Sequence, residues 1–160
     1  MSMLRDSGLP AQSSGGRWLY TVFLLFETAG AVLLFSEGLP VYRKTLANPA
    51  SYDPETTAVA LAGAVLIQVA YWTRFRTRLR PPRVTNVLLA HIVLFVARLV
   101  FTLPTAIFSF LFILKAVEVQ VPASKYAFII FALFSIFCYV RELENLGTAL
   151  ASASPSAKSN

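Results

Sequence analysis

Cysteine and histidine are nearly absent from this chain of 160 residues, which contains one of each, Cys138 and His91. A single cysteine excludes an internal disulfide and a cysteine-based metal site. The sequence also has no glycine-rich phosphate loop, no paired-histidine motif, no acidic metal cluster and no serine–histidine–aspartate set on a soluble face. An enzyme activity would therefore have to lie within the apolar part of the chain.

Charged residues are scarce as well, at 14% of the sequence, against about 25% in soluble chains. Hydrophobic residues make up 56%, and the mean hydropathy is +0.63. Because a soluble domain of this size cannot bury so much apolar surface, the composition predicts one all-α integral membrane domain. The formal net charge of +6 comes from 14 basic and 8 acidic residues.

The longest apolar run reaches from Thr85 to Val117. Between Val87 and Leu114 its only ionisable residues are His91 and Arg98. A bilayer core about 30 Å thick takes about 20 helical residues, so this run is long for one upright span. Pro104 lies past its middle and removes a backbone donor, which predicts a kink there.

Three further apolar runs complete a predicted bundle of four transmembrane helices within residues 18–147. Asp53 and Pro54 form a good helix start for the second span, and Thr85 or Asn86 can cap the third. Gly147 is a plausible stop for the fourth. The predicted spans are about 18–38, 56–74, 85–114 and 125–146, with a first loop over 39–56, a flexible N-terminal tail over 1–17 and a disordered C-terminal tail over 148–160.

The basic residues outside the spans predict the orientation of the chain. With both termini inside, the inner segments hold nine of them and the outer loops hold four. The positive-inside rule therefore places both termini on the cytoplasmic or inner side. A bacterial inner membrane or an organellar membrane fits this reading.

Four polar residues inside the predicted spans stand out as candidates: Glu27, Gln68, His91 and Arg98. At about 1.5 Å per residue, each of them falls in the inner half of the membrane or near its midplane. His91 and Arg98 are seven residues apart and share a helix face. Because an arginine at mid-helix costs about 2.5–3.5 kcal/mol on insertion scales, we expect a buried Glu27–Arg98 ion pair that hydrogen bonds to Gln68 and His91 extend.

This buried polar cluster has two interpretations. It can fix the register of the helices without doing chemistry. It can also bind an anionic headgroup, a quinone-like molecule or a proton, since buried arginine holds anions and Glu27 beside His91 can relay protons. No cofactor is indicated. A single ligand from His91 to haem or chlorophyll stays open beside a plain packing role.

Five arginines follow the second span and form the densest charge in the sequence. They can hold anionic lipid headgroups, at about 1 kcal/mol each, or an acidic patch on a partner subunit. Equally, they can serve only to keep this loop inside. Nucleic acid fits poorly, because the loop is short and tied to a membrane. The five residues are Arg74, Arg76, Arg78, Arg80 and Arg83.

Small residues recur in the second span. Ala58 and Ala62, and likewise Ala60 and Ala64, are four residues apart, with Gly63 between them. This spacing lets helix backbones approach closely in lipid and predicts a tight helix–helix contact, within this chain or with another.

In size and number of spans the chain is similar to the small four-helix membrane enzymes of eicosanoid and glutathione metabolism. The nearest local likeness is FVARLVFTLPT, which places an arginine inside an apolar helix. That family continues with a histidine and a tyrosine at the following turns, where this chain has Phe101 and Thr105, and its polar second-helix motif is absent. The likeness covers about a dozen residues and does not assign the chain to that family.

Two function classes remain. The first is an accessory or structural subunit of a larger membrane complex, which packs through its transmembrane helices and holds anionic lipid or a partner with the arginine loop. The second is an autonomous, self-associating binder, carrier or enzyme for a lipid or small molecule, which uses Glu27, His91 and Arg98. Short loops, small-residue faces and the lack of a catalytic motif favour the first class.

Overall fold

The computed structural model describes residues 14–47, 53–82, 86–115 and 123–152. These residues form four α-helices: α1 (Ser14–Ala47), α2 (Pro54–Thr77), α3 (Val87–Lys115) and α4 (Ala123–Ser152). Each helix contains a segment long and apolar enough to cross a membrane, namely Gly15–Val41, Pro54–Thr77, Val87–Ile107 and Tyr126–Ser152. The prediction of an all-helical membrane protein with four spanning helices is confirmed at this level.

The predicted starts of α2 and α3 are confirmed by their capping contacts. The Asp53 carboxylate accepts a hydrogen bond of 3.3 Å from the backbone N–H of Thr56, and Pro54 takes the first helical position. Asn86 caps α3, since its side-chain oxygen accepts from the backbone N–H of Leu89 at 2.9 Å. Each cap satisfies a backbone donor that the first helical turn leaves without an intrahelical partner.

α1 and α4 extend well beyond the spans that the sequence predicts, and α2 extends by a few residues. α1 continues through Pro40 to Ala47, so residues 39–47 of the predicted first loop are helical. A proline inside a helix removes one backbone hydrogen bond, and the helix persists past that loss. α4 passes through Gly147 to Ser152, because Gly147 is a packing position rather than a stop: a Cβ there would lie 2.6 Å from the Leu94 side chain.

The remaining boundary predictions fall mostly outside the described residues. Residues 1–13 of the N-terminal tail and 153–160 of the C-terminal tail lie there. α3 runs as one helix through Pro104, and the kink at that residue stays a prediction.

The first two helices form an antiparallel hairpin with a very close contact. A Cβ built on Gly63 would lie 2.7 Å from the Gly30 carbonyl oxygen and 2.9 Å from the backbone nitrogen of Leu34. The two backbones therefore meet where neither residue has a side chain, which confirms the tight contact predicted from the small residues of α2. Ala60 and Ala64 lie buried beside it, whereas Ala58 and Ala62 are exposed.

α4 joins the hairpin to the rest of the molecule. It packs against α2, touches α1, and forms the main contact of α3. α3 makes at most marginal contact with α1 and α2, so most of its circumference is exposed. The main core cluster contains residues of all four helices: Ala31, Leu34, Ala60, Ala64, Ile67, Ala97, Ile136, Tyr139, Val140 and Leu143.

Candidate functional site

A buried arginine lies at the end of α2, three residues before the helix ends at Thr77. Arg74 follows Ala60 and Ile67 at intervals of seven residues, and all three are buried, with 3% of Arg74 exposed. Residues seven apart lie on the same side of a helix, so Arg74 continues the packing face that the small residues begin. Its guanidinium points into the bundle.

Two carboxylates meet this guanidinium. The Nη2 atom of Arg74 lies 2.9 Å from Oε1 of Glu27 on α1 and 2.6 Å from Oε2 of Glu142 on α4. Glu27 is fully buried, and Glu142 is 5% exposed. The ion triad Glu27–Arg74–Glu142 therefore ties three of the four helices together at one level of the bundle.

Aromatic and amide groups complete the surroundings of the triad. The Tyr20 hydroxyl donates a short hydrogen bond to Oε1 of Glu142, and the Asn145 amide donates to Oε2 at 3.5 Å. The Arg74 guanidinium carbon lies 5.3 Å from the Tyr20 ring centre and 5.9 Å from that of Tyr71. Both distances are within the range of cation–π attraction.

The triad is not fully satisfied. Two carboxylates and one guanidinium carry a formal charge of −1. Among the described residues, no hydrogen bond of good geometry reaches the Glu27 oxygens or the Nη atoms of Arg74, although ion-pair distances are short. A buried polar group without a partner costs about 1–3 kcal/mol. Removing Arg74 would leave two buried carboxylates without a cation, which is worse still.

A second polar contact lies deeper along the interface between α2 and α4. Gln68 precedes Arg74 by six residues, about 9 Å along the helix. Its amide nitrogen donates to the Ser135 hydroxyl at 3.2 Å and lies 3.7 Å from the Cys138 sulfur. Its amide oxygen accepts from the Trp72 indole at 3.0 Å. Gln68 thus links α2 to α4, and both the nitrogen and the oxygen of its amide make hydrogen bonds.

The predicted cluster of four polar residues is only partly brought together. Glu27 and Gln68 are buried in the bundle, as expected. His91 and Arg98 share one side of α3, but that side is exposed, and the ion-pair partner of Glu27 is Arg74 rather than Arg98. The reason is the face of α3: Ala90 and Ala97 pack on α4, which turns their neighbours His91 and Arg98 outward.

The five arginines after the second span also divide into groups. Arg74 is buried in the triad and is not available to a headgroup or a partner. Arg76, Arg78 and Arg80 are exposed, with Arg78 in the left-handed conformation at the end of α2 (φ 51°). Arg83 lies outside the described residues.

Sequence reasoning missed three members of the triad site: Arg74, Glu142 and Tyr20. Arg74 was hidden among the alternating arginines of the loop. Its distance of seven residues from Ile67 and fourteen from Ala60 was the signal that could have placed it on the packed face. Glu142 lies near the end of its span, where a carboxylate is usually taken as solvated, and nothing in the sequence marks Tyr20.

The opposite end of the bundle has a different character. A cavity of about 820 Å³ lies between the two halves of the molecule, which are the α1–α2 hairpin and the α3–α4 pair. It is lined mostly by apolar residues of all four helices. Lys44 and Asp53, which form an ion pair of 2.8 Å, lie at its edge. Hydrogen bonds from Lys44 and Thr56 lower the pKa of Asp53 to about 2.

The charged atoms of the triad lie buried between helices, and the described residues contain no group of three or more potential metal ligands. His91, the one residue considered for haem or chlorophyll, lies on the exposed side of α3. No family model, curated protein or solved structure matches this chain.

Proposed function

We propose that this protein is an accessory subunit of a larger membrane complex and packs through its transmembrane helices. The observation that carries the proposal is the position of α3. This helix packs mainly on α4, and among the described residues no other element of the chain covers its outer side. In a four-helix protein that works alone, we expect each helix to pack on at least two others. In a subunit, one face of a helix can stay open for a neighbouring protein.

The arrangement of the ionisable groups supports the same proposal. The two buried carboxylates among the described residues, Glu27 and Glu142, hold α1, α2 and α4 together through Arg74. Neither is therefore left over as a free acid or base for catalysis. In this proposal the buried charges of the described bundle serve assembly of the chain itself.

The orientation is part of the proposal. We place both termini and the end of α2 on the inner side of a bacterial inner membrane or an organellar membrane, because nine basic residues against four then lie inside. The exposed Arg76, Arg78 and Arg80 would meet anionic headgroups or an acidic partner there, at about 1 kcal/mol per residue.

Extraction from the native membrane tests the proposal. The tagged protein is solubilised in mild detergent, and the mass of the particle is measured together with its subunit composition. A particle that contains other membrane subunits in fixed ratio supports the accessory role. A homogeneous particle that contains only this chain would contradict it.

A second candidate function rests on the cavity between the two halves. Its volume of about 820 Å³ lies within the range of about 300–1,000 Å³ that small-molecule sites occupy. An apolar cavity in a membrane protein suits a lipid chain or another apolar molecule. This candidate does not use Glu27, His91 and Arg98 together, since the structure separates them.

Mass spectrometry of lipids retained by the purified protein tests this candidate. Ala127 lines the cavity, so Ala127→Trp is expected to fill it and displace a bound molecule. Ala62→Trp places the same ring at an exposed position of α2 and is the control. Equal retention of lipid in both variants and in the unmodified protein would contradict a specific site in the cavity.

A further inference from the structure

The polar side chains of the α3 span form one line. Between Val87 and Ile107 they are His91, Arg98, Thr102 and Thr105, and with Phe95 they follow spacings of four, three, four and three residues. All five side chains are exposed. We call this line the α3 seam.

Spacings of three and four residues keep side chains on one face of a helix, which is the arrangement that a helix–helix contact uses. It keeps a row of side chains facing one neighbour along a left-handed crossing. Scattered polar residues would have no such period. In the seam, the hydroxyl of Thr105 already has a hydrogen-bond partner within α3, since it donates to the Phe101 carbonyl at 2.7 Å. His91 and Arg98 have no comparable contact among the described residues.

Arg98 is the costly member of the seam. It follows Val87 by eleven residues, which places it about 16 Å from the start of the helix. Gly147 of α4 packs on Leu94, four residues before Arg98, and Glu142 precedes Gly147 by five residues on the neighbouring, oppositely directed helix. Arg98 therefore lies at about the level of the buried triad, where a charge facing lipid is unfavourable and needs a partner.

We propose that the α3 seam docks a transmembrane helix of a different protein that carries an Asp or Glu opposite Arg98. The proposal rests on the proposed function and specifies the chemistry of the partner. Arginine makes bidentate contacts with a carboxylate, and the carboxylate removes the cost of the exposed charge. His91, two helical turns away on the same line, adds a second polar contact to that helix.

A second copy of this chain fits the seam poorly. Two copies related by a twofold axis along the membrane normal would bring Arg98 against Arg98, which is repulsive. In the described spans, the carboxylates near this level are either buried or already paired. Glu27 and Glu142 are buried in the triad, Glu37 lies ten residues beyond Glu27, and Glu144 pairs with Arg141 at 3.4 Å. The complementary charge must come from another sequence.

Site-specific photocrosslinking in the native membrane is the first test. A photoreactive phenylalanine analogue replaces Phe95, which is 65% exposed in the seam, and a control replaces Val69, which is 58% exposed on α2. We expect a crosslink from position 95 to another membrane protein that has an Asp or Glu inside one of its spans. The control position is expected to give no such product.

Charge exchange with the captured protein is the second test. Arg98→Glu is expected to lower the assembled fraction on native gels by about tenfold or more, because two carboxylates would then face each other. Changing the partner's acidic residue to Arg in the same cells is expected to restore assembly. Arg98 lies outside the core, so the Arg98→Glu chain should keep the detergent stability of the unmodified chain.

The outcomes separate this inference from the proposed function. If the unmodified chain assembles with other subunits but Arg98→Glu assembles equally well, the seam proposal is overturned and the accessory role stands. A crosslink from position 95 to this chain itself, to lipid only, or to a span without an acidic residue also overturns it. A chain that purifies alone, with no crosslink at either position, overturns both.

Discussion

Two arginines in the membrane-spanning part of this molecule have opposite surroundings. Arg74 is buried between two carboxylates and two aromatic rings, whereas Arg98 lies on the exposed side of α3. The side chain is the same, but Arg74 lies on the packed face near the end of its helix, and Arg98 lies on an open face eleven residues into its own. Arg74 pairs within the chain, and Arg98 has no ion-pair partner among the described residues.

The same contrast separates the α1–α2 hairpin from α3. In the hairpin, the backbones meet closely at Gly30 and Gly63, and Glu27 and Arg74 behind this contact form an ion pair. α3 is buried mainly at Ala90 and Ala97. A helix that contributes so little to the core is free to serve an interface, and the following predictions test that division.

The largest expected effect is the loss of Arg74. Arg74→Gln leaves Glu27 and Glu142 buried without a cation, so we expect the free energy of unfolding to fall by about 3–5 kcal/mol. Denaturation of the detergent-solubilised protein, followed by circular dichroism, measures it. Arg98→Gln is the matched control and is expected to change the stability of the isolated chain by less than about 0.5 kcal/mol. Equal losses in both variants would remove the distinction between the two arginines.

A close second is Gly63→Ala in the hairpin. The added methyl group meets backbone atoms of Gly30 and Leu34 at 2.7 and 2.9 Å, and backbone cannot rotate away. We expect α1 and α2 to separate slightly, at a cost of about 1–3 kcal/mol in the same unfolding assay. Gly38→Ala is the control, because its Cβ would meet only the Leu34 side chain at 3.7 Å. A Gly63→Ala protein as stable as the control would show that the contact is loose.

A double-mutant cycle sharpens the comparison further. Glu27→Gln and Arg74→Gln should be coupled by about 0.5–3 kcal/mol, because the second change costs less once the first has been made. Glu27→Gln and Arg98→Gln should be additive within about 0.5 kcal/mol, since they share no contact. Additivity in the first cycle would contradict the Glu27–Arg74 ion pair. Coupling in the second cycle would support a Glu27–Arg98 ion pair instead.

The smallest effect concerns the loop end of the hairpin. The folded protein lowers the pKa of Asp53 to about 2, below its ordinary value of about 3.9. A lowered pKa stabilises the ionised fold, so this contribution is complete above about pH 4 and is lost as the pH falls towards about 2. Asp53→Asn keeps a capping oxygen and loses the titration. As the pH is lowered from about 4 to about 2, the free energy of unfolding should therefore fall more for the unmodified protein than for the Asp53→Asn protein. Parallel curves for the two proteins would contradict a lowered pKa of Asp53.

The helices were predictable because the bilayer leaves few alternatives. Long apolar runs must form helices to satisfy their backbone groups, and the Asp53 and Asn86 caps are local signals. The ends of α1 and α4 were missed because they depend on packing: Gly147 looks like a stop until Leu94 is seen against it. Pro40 likewise looked like a boundary where the helix continues.

The faces of the helices were not predictable in the same way. In a helix of a soluble protein, the spacing of apolar residues shows which face is buried. In a membrane-spanning helix all faces are apolar, so this spacing says little about which face packs against the other helices. The pairing of Glu27 with Arg98 was therefore predicted wrongly, since Glu27 pairs with Arg74, and the depths of Glu27 and Arg98 in the membrane stay predictions. The small residues of α2 did mark a face, and extending their period by seven would have found Arg74.

The distribution of the triad along the chain has a consequence for synthesis. Glu27 and Arg74 belong to the first two helices, and Glu142 belongs to the last. As the chain leaves the ribosome, the first hairpin can neutralise its own charges while α3 and α4 are still to be made. Glu142 then joins the triad last, by pairing with Arg74 and accepting the hydrogen bond from Tyr20. If the hairpin closes first, the order in which the helices emerge would match the order in which their charges pair. Crosslinking of cysteines introduced into α1 and α2 of stalled nascent chains would test this.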